Sequence, residues 1–379
     1  MNNELSKLGF HGSYRENDIV FLLNVDEIEP IDILEKEKLI QSGNAHYSQM
    51  ISAEKKPTDE HLKHYEQALK IGSERMSRDI QMIGNSLLNR FNNNEPIVLV
   101  SLVRAGVPIG ILLKHYIESH KSCVHYGISI IRDRGIDHAA LNAIINAHGA
   151  ENIVFVDGWT GKGAICKELT STLQGYPELF DHGWKIPRLV TLADLGGCSW
   201  LSASCDDWLI PSGILGSVVS GLTSRSILLD DIKLERAKIE YLNTELWHKC
   251  IIYSDLTEHD VSVQFVDHIL QIMKDNPINA CANWSNEIRE DQFGLCKQTI
   301  KWIGQEYDVQ NINHIKPSIA EATRAVLRRV PERILVNDEN NENVQLLLHF
   351  AKEHNVPVDI LGEKLGSYQA VTLIKRVKG

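Results

Sequence analysis

Residues 152–164 read Asn-Ile-Val-Phe-Val-Asp-Gly-Trp-Thr-Gly-Lys-Gly-Ala. Apolar residues run into an acid, and a turn rich in glycine, with one threonine and one lysine, follows. This pattern predicts a buried parallel strand, a tight loop and the N-terminus of a helix. Such a junction presents backbone N–H groups and the positive end of a helix to an anion. Open α/β sheets bind ligands at the carboxyl ends of their strands, so Asp157 marks the predicted site.

Alternating strands and helices extend from this stretch in both directions. Strand-like segments at 97–103, 124–131 and 189–193 are separated by single helices, which predicts parallel βαβ units. Residues 1–95 are mainly helical in character and are expected to pack on this core. Residues 96–307 form the central domain, with an irregular Gly-, Ser- and Trp-rich insertion at about 195–226 that is expected to form a hood, and then a helical extension.

The last segment, residues 315–379, has the pattern of a small α-β-α-β-β domain. Its first predicted helix, 318–330, is apolar on one face and carries Glu321, Arg324 and Arg328 on the other. The segment holds ten Lys and Arg residues against eight Asp and Glu, although the whole chain has a net charge of −11. The predicted fold class is therefore α/β, with a parallel-sheet core, a helical N-terminal region and a small C-terminal α/β domain.

Composition sets the broad class of protein. The 379 residues are 43% hydrophobic and 23% charged, as in ordinary soluble proteins. The acidic net charge argues against non-specific nucleic-acid binding by the whole molecule. Seven scattered cysteines form no C-x-x-C pair, which argues against a zinc ribbon. With no signal peptide and no long apolar run, we expect a cytoplasmic protein without a membrane partner.

The central domain resembles the type I phosphoribosyltransferases in three motifs: 102–108, 132–135 and 154–163. The resemblance implies a parallel-sheet core that binds phosphoribosyl pyrophosphate. Asp157 would hold the ribose hydroxyls, while Arg132 and Arg134 would close over the substrate. The predicted 5′-phosphate loop consists of Gly158, Thr160, Gly161, Lys162 and Gly163, and the predicted pyrophosphate loop of Arg104, Ala105 and Gly106.

The chemistry implied by this resemblance is glycosyl transfer to a base or small-molecule acceptor, with release of pyrophosphate. Mg²⁺ is the implied cofactor, held indirectly near Asp157, because it neutralises the leaving pyrophosphate. The acceptor is unknown, and Asp194, Ser220 and Arg225 are the candidate residues of its pocket. Gly158 stands where the family has a second acid. This departure favours an alternative, a non-catalytic sensor of phosphoribosyl pyrophosphate or a nucleotide that controls RNA binding.

Residues 316–326, Lys-Pro-Ser-Ile-Ala-Glu-Ala-Thr-Arg-Ala-Val, resemble the opening motif of the Pelota and kink-turn-binding superfamily. That resemblance implies structured RNA as a partner, contacted by Lys316, Glu321, Arg324 and Arg328. Taken together, the two halves resemble a bacterial family of tellurite-resistance stress operons, which is also called the StiP cysteine protease family.

A further alternative is therefore a cysteine protease. Cys198 lies in a Gly-Cys-Ser-Trp stretch, and a nucleophilic cysteine needs a base such as one of the 16 histidines. The sequence leaves the oligomeric state open, with a homodimer among the candidate assemblies.

Overall fold

The computed structural model describes residues 3–228 and 244–375. The part of the predicted helical extension that falls in 229–243 lies outside these residues. The helices are α1 Asn3–Leu8, α2 Ile33–Gln41, α3 Asp59–Arg90, α4 Val107–Glu118, α5 His138–His148, α6 Ala164–Thr172, α7 Ser262–Asp275, α8 Asn286–Glu306, α9 Ile319–Arg328 and α10 Gln345–Glu353. The strands are β1 Val20–Phe21, β2 Asn24–Val25, β3 Ile97–Leu102, β4 Cys123–Ile128, β5 Ile130–Ile131, β6 Gly135–Ile136, β7 Ile153–Val156, β8 Trp159–Thr160, β9 Leu189–Asp194, β10 Leu201–Ser204, β11 Lys249–Cys250, β12 Ile315–Pro317, β13 Pro331–Val336, β14 Val358–Ile360 and β15 Ala370–Ile374.

The central sheet has the order β1-β4-β3-β7-β9-β10, with β8 paired to β9. All of these pairs are parallel, so the predicted α/β class with a parallel sheet is confirmed. The chain runs from β3 outward to β4 and then returns to β7 on the other side of β3. This reversal opens a crevice at the carboxyl ends of β3 and β7, where sheets of this kind bind ligands.

The central strands are buried because helices cover both faces of the sheet. Every residue of β3, β7 and β9 is buried. Side chains of β3 alternate between two cores: Ile97 and Leu99 contribute to one, and Val98 and Val100 to the other. The first core includes α3, α4 and α7, whereas the second includes α5 and α6. Continuous apolar runs in the sequence follow from burial on both sides.

The N-terminal region is mainly helical, as predicted for residues 1–95, but it also contains two short strands that the sequence did not predict. Val20 and Phe21 of β1 extend the central sheet beside β4, and β2 pairs with β11. Each of these strands has only two residues, too few to show an alternating pattern. The long helix α3 does pack on the core, and Gly84 in it leaves room for the ring of Tyr116.

The C-terminal domain has the predicted α-β-α-β-β order, with one further strand, β12, before it. Its sheet runs β12-β15-β13-β14, and only the β13–β14 pair is parallel. The apolar face of α9 is buried through Ile319, Ala322 and Val326, as its sequence period predicts. The opposite face of α9 points toward the central domain.

Among the described residues, no helix combines the length and apolar character needed to cross a membrane.

Candidate functional site

The turns after β3 and β7 touch each other at the carboxyl edge of the sheet. A Cβ atom on Gly106 would lie 2.1 Å from the carbonyl oxygen of Val156, so only glycine allows this approach. Gly158 lies against the carbonyl of Ala105 from the other side. Two motifs that are about fifty residues apart in sequence therefore form one site, as their places at neighbouring strand ends predict.

Asp157 is half-buried beside these turns, and its Oδ1 accepts a hydrogen bond from the Gly158 N–H at 2.8 Å. Burial raises the pKa of this carboxyl group to about 7, although the Gly158 N–H and the charge of Arg324 oppose the increase. Glu321 adds to the increase. Two residues of the C-terminal domain thus act directly on the carboxylate of the central site.

The C-terminal domain covers the predicted phosphate loop, residues 160–163. Lys162 Nζ donates to the carbonyl of Ile315, and the Tyr368 hydroxyl donates to the carbonyl of Gly161 at 2.8 Å. Burial lowers the pKa of Lys162 to about 8 and that of Lys316 to about 7. The sequence placed phosphate binding and RNA binding in separate sites. In the structure, the residues predicted for the two roles lie against each other.

A carboxylate from the hood accepts a hydrogen bond from the backbone N–H at the N-terminus of α9. The Ile319 N–H donates to both oxygens of Asp207, at 3.0 and 3.1 Å, and the Gln369 N–H donates to Oδ2 at 2.9 Å. Asp207 is 8% exposed, and burial raises its pKa to about 7. A buried carboxylate at a positive helix end joins the two domains. Sequence reasoning missed Asp207, because it lies in the irregular hood, where no period indicates burial.

Asp194, at the end of β9, holds the loop that follows it. Its buried carboxylate accepts hydrogen bonds from the Thr160 hydroxyl at 2.5 Å, the Cys198 N–H at 2.8 Å and the Ser199 N–H at 2.7 Å. The sequence predicted Asp194 for an acceptor pocket. The structure turns its oxygens into the protein, so its visible role is to fix the position of Cys198.

Helix α8 holds the Cys198 loop from the opposite side. Arg289 donates to the carbonyl of Gly197, and Gln292 to that of Leu195. Gly197 has φ +61°, and a Cβ there would lie 2.2 Å from the Phe293 nitrogen. Only glycine at position 197 therefore allows the loop to lie this close to the helix.

Cys198 is half-buried and lies at the N-terminus of α6, where it forms a disulfide with Cys166. Gly163 precedes the helix with φ +76° and provides no side-chain cap, so no N-cap side chain satisfies the first N–H groups of α6. The Sγ atom of Cys198 is 3.8 Å from Asp194 Oδ1. After reduction, that oxygen is within reach of the Cys198 thiol proton. The widely spaced cysteines of the sequence did not reveal this pair.

The other thiols have surroundings that are less suited to nucleophilic chemistry. Burial raises the pKa of Cys205 and of Cys250 to about 12, and it also raises those of Cys123 and Cys296. A high pKa leaves little of the reactive thiolate at neutral pH. Cys281 is exposed, in the segment between α7 and α8, and receives a hydrogen bond from Asn89.

Comparison with known proteins decides the family. Residues 12–270 match the family described as "Tellurite-like stress resistance cysteine protease StiP". The protein of Acinetobacter baylyi named "Cysteine protease StiP" is 51% identical over 373 residues, which cover 98% of this chain and 96% of that protein. The chain belongs to the StiP family. Residues 295–376 of this StiP-family chain also match the PELOTA RNA binding domain.

The family match overturns the main functional prediction from the sequence. Both comparisons name a cysteine protease, so the predicted phosphoribosyltransferase activity is wrong. The physical reason is that a strand followed by a loop of Gly, Thr and Lys indicates only that an anion binds at a helix end. Such a loop occurs in proteins that catalyse different reactions, so it does not specify the chemistry. The Mg²⁺ expected near Asp157 was implied by that activity and stays a prediction.

The remaining residues predicted for the site hold other segments of this StiP-family structure in place. Arg104 pairs with Glu54 and donates to the Thr223 carbonyl, and Ser220 donates to the Gly216 carbonyl. The Arg132 N–H donates to the Tyr47 hydroxyl. Arg134 lies in the same short hairpin, between β5 and β6. Arg104 and Arg132 thus hold segments of the N-terminal region against the core.

One group of described side chains has the composition of a metal site. Glu60 and His64 of α3 face His349 of α10, with ligand atoms within 4.8 Å of one another. Imidazole with one carboxylate suits zinc better than magnesium. The group lies between the N-terminal region and the C-terminal domain.

Proposed function

We propose that this StiP-family chain is a cysteine peptidase with Cys198 as its nucleophile. The family and the relative both support this class of activity. The observation that carries the assignment is the position of Cys198, on a glycine loop at the uncapped N-terminus of α6 and within 3.8 Å of Asp194. The positive end of a helix stabilises a thiolate, as reactive cysteines require.

The geometry gives each group a role. After reduction, the Cys198 thiol transfers its proton to Asp194, and the thiolate attacks the peptide carbonyl carbon. The resulting oxyanion lies at the open N–H groups of the first turn of α6, which act as an oxyanion hole. The C–N bond then breaks as the amine takes the proton from Asp194, and water hydrolyses the thioester.

A carboxylate takes the place of the histidine base that the cysteine protease alternative called for in the sequence analysis. Within residues 3–228 and 244–375, no histidine forms a hydrogen bond with Cys198, whereas Asp194 lies beside its sulfur. Burial raises the pKa of Asp194 from its ordinary value, which makes the carboxylate a better proton acceptor. We therefore propose an aspartate as the proton acceptor for the nucleophile.

The disulfide with Cys166 gives the proposal a direct test. In the oxidised protein, the sulfur of Cys198 is bonded to that of Cys166 and cannot attack a carbonyl. We expect cleavage of a fluorogenic peptide library only after treatment with a thiol reductant, and Cys166→Ala to be active without it. Mass mapping after iodoacetamide treatment should show alkylation of Cys198 in parallel with the loss of activity. Equal activity of oxidised and reduced wild-type protein would exclude Cys198 as the nucleophile.

We also propose that the C-terminal domain binds structured RNA, on the basis of the Pelota match. Shape and splayed bases in bulged RNA allow recognition by a small basic surface. A mobility-shift assay with the full chain should show tighter binding to a bulged RNA stem–loop than to a DNA duplex of equal length. The affinity should fall as salt is raised, because phosphate contacts release counterions. Equal binding to both nucleic acids would contradict this part of the proposal.

A further inference from the structure

A second site adjoins the Asp157 loop, because its Arg324 lies over the Trp159 ring of that loop. It is a cavity of about 760 Å³ between the N-terminal region, the hood and helices α9 and α10. None of residues 157–163 or 194–198 lines it. Its walls carry eight Lys and Arg residues and three Glu residues, in a chain whose net charge is −11. The positive charge of the cavity therefore comes from cations gathered there and does not reflect the charge of the chain as a whole.

Two of the innermost cations have only neutral partners. Lys36 is 8% exposed, and its Nζ donates to the Ser52 hydroxyl at 2.6 Å. The Arg225 guanidinium donates to the carbonyls of Tyr47, Met50 and Ser226. Within the described parts of the chain, neither side chain forms an ion pair with a carboxylate. Lys36 is thus buried, and Arg225 half-buried, with no carboxylate of the described residues at ion-pair distance.

Arg324 of α9 completes this set. Its guanidinium lies over the Trp159 ring, 5.7 Å from the ring centroid. Among the described residues it has no hydrogen-bond acceptor and no ion-pair partner, although it has five N–H donors. The nearby Arg104 and Arg328 share a single carboxylate, Glu54, and the Arg328–Glu54 distance is 2.6 Å.

Crowding of like charges away from water is costly. Burial, together with neighbouring arginines, lowers the pKa of Lys36 to about 8, that of Arg324 to about 9 and that of Arg225 to about 10. Glu37 opposes the change for Lys36, and Glu54 and Asp157 oppose it for Arg324. A buried cation without a partner destabilises a fold unless an anion neutralises it. A bound anion with several charges would provide the missing partner for Lys36, Arg225 and Arg324 together.

Part of the cavity wall is apolar or aromatic. Ile51, Ile214, Tyr253 and Phe350 line it, and all of them are buried in the core. A simple inorganic anion would leave this surface uncovered. A volume of this size accommodates a small organic ligand with a ring system as well as charged groups.

We propose that this cavity binds a nucleotide with two or more phosphates, either free or as the 5′ end of an RNA. The phosphates lie against Lys36, Arg225 and Arg324, and the base lies against the apolar wall. Because the cations come from the N-terminal region, the hood and α9, the ligand links the C-terminal domain to the rest of the chain. The proposal does not depend on the peptidase assignment.

Thermal unfolding and calorimetry of the full chain test this site with ATP, GTP, CTP, UTP and tripolyphosphate as probes. At least one nucleotide should raise the Tm and bind more tightly than tripolyphosphate. Arg324→Met and Lys36→Met should each weaken that binding about tenfold or more, since each removes a charge-assisted contact. Without ligand, both variants should unfold at the same temperature as the wild type or higher, because each relieves charge repulsion.

Arg333→Met provides the matched control, because Arg333 pairs with Asp359 in the same domain but does not line the cavity. This variant should keep the wild-type response to nucleotide.

The two possible sources of the ligand are separated by comparing an oligoribonucleotide that has a 5′-triphosphate with the same oligomer bearing a 5′-hydroxyl. A preference for the triphosphate end assigns the site to RNA ends. Binding of free nucleotide alone assigns it to a metabolite. No Tm change with any nucleotide, equal binding of tripolyphosphate, or an unchanged response in both cavity variants would overturn the proposal.

Discussion

Replacement of Cys198 by alanine is expected to reduce peptide hydrolysis by about a thousandfold or more, because the proposed reaction proceeds through a thioester on this sulfur. The measurement is the initial rate of cleavage of a fluorogenic peptide under reducing conditions. Cys166→Ala is the matched control. It removes the same disulfide and therefore the same contribution to stability, about 2–4 kcal/mol in oxidised protein. It leaves the nucleophile in place, so it should retain activity.

Cys281→Ala serves as a second control for this prediction. Cys281 is the exposed thiol, and its neighbour is Asn89 rather than a helix N-terminus. Its replacement should leave the rate unchanged. Should Cys198→Ala retain the wild-type rate while Cys281→Ala loses it, the nucleophile lies between α7 and α8 and the assignment of the site is wrong.

The second large effect is expected for Asp207→Ala. Its carboxylate accepts the N–H groups of Ile319 and Gln369, so the alanine variant would leave a buried and a half-buried donor without this partner. An unsatisfied buried donor costs about 1–3 kcal/mol, so we expect the free energy of unfolding to fall by about 2–5 kcal/mol. Urea denaturation measures this change, and hydrogen exchange at the start of α9 should locate it.

The neighbouring Asp206 offers the control for Asp207. Its side chain is 67% exposed and pairs with Arg75 on the surface, so Asp206→Ala should cost less than about 1 kcal/mol. If the two alanine variants are equally stable, the Asp207 carboxylate does not hold the domains together.

The same carboxylate predicts a direction of pH dependence. Burial raises the pKa of Asp207 to about 7, so the folded protein retains this proton at pH values where the unfolded chain has lost it. The contribution of Asp207 to stability is therefore largest below about pH 4, falls as the pH rises toward 7 and is constant above that. Compared with Asp207→Asn, the wild type should lose on the order of a few kcal/mol across this interval.

Local sequence patterns predicted most of the architecture. Continuous apolar runs such as Ile153–Val156 predicted parallel strands buried on both faces, and the period of α9 predicted its buried side. The two-residue strands β1 and β2 were missed, because a segment that short has no period. The Pelota and StiP resemblances also came from sequence alone, and the comparisons confirm both.

Function was harder to predict, because the decisive contacts join residues that are far apart in the chain. Cys166 and Cys198 are separated by 32 positions with no spacing that identifies a pair. Asp207 lies in an irregular segment, yet it binds the N-terminus of α9 more than a hundred residues later. The motif at 157–163 predicted an anion site but gave the wrong reaction, since its residues are common to many phosphate loops.

By itself, the stretch at 152–164 determined a strand, a loop and a helix with an open N-terminus, because these depend on neighbouring side chains and on glycine at 163. Only the tertiary structure decided what meets that helix end. It brings Cys198 and Asp194 to the N-terminus of α6 and covers the adjoining loop with Tyr368 of the C-terminal domain. Local backbone preferences are encoded within a few residues. The burial and charge that give a site its chemistry arise from segments that meet only when the chain folds.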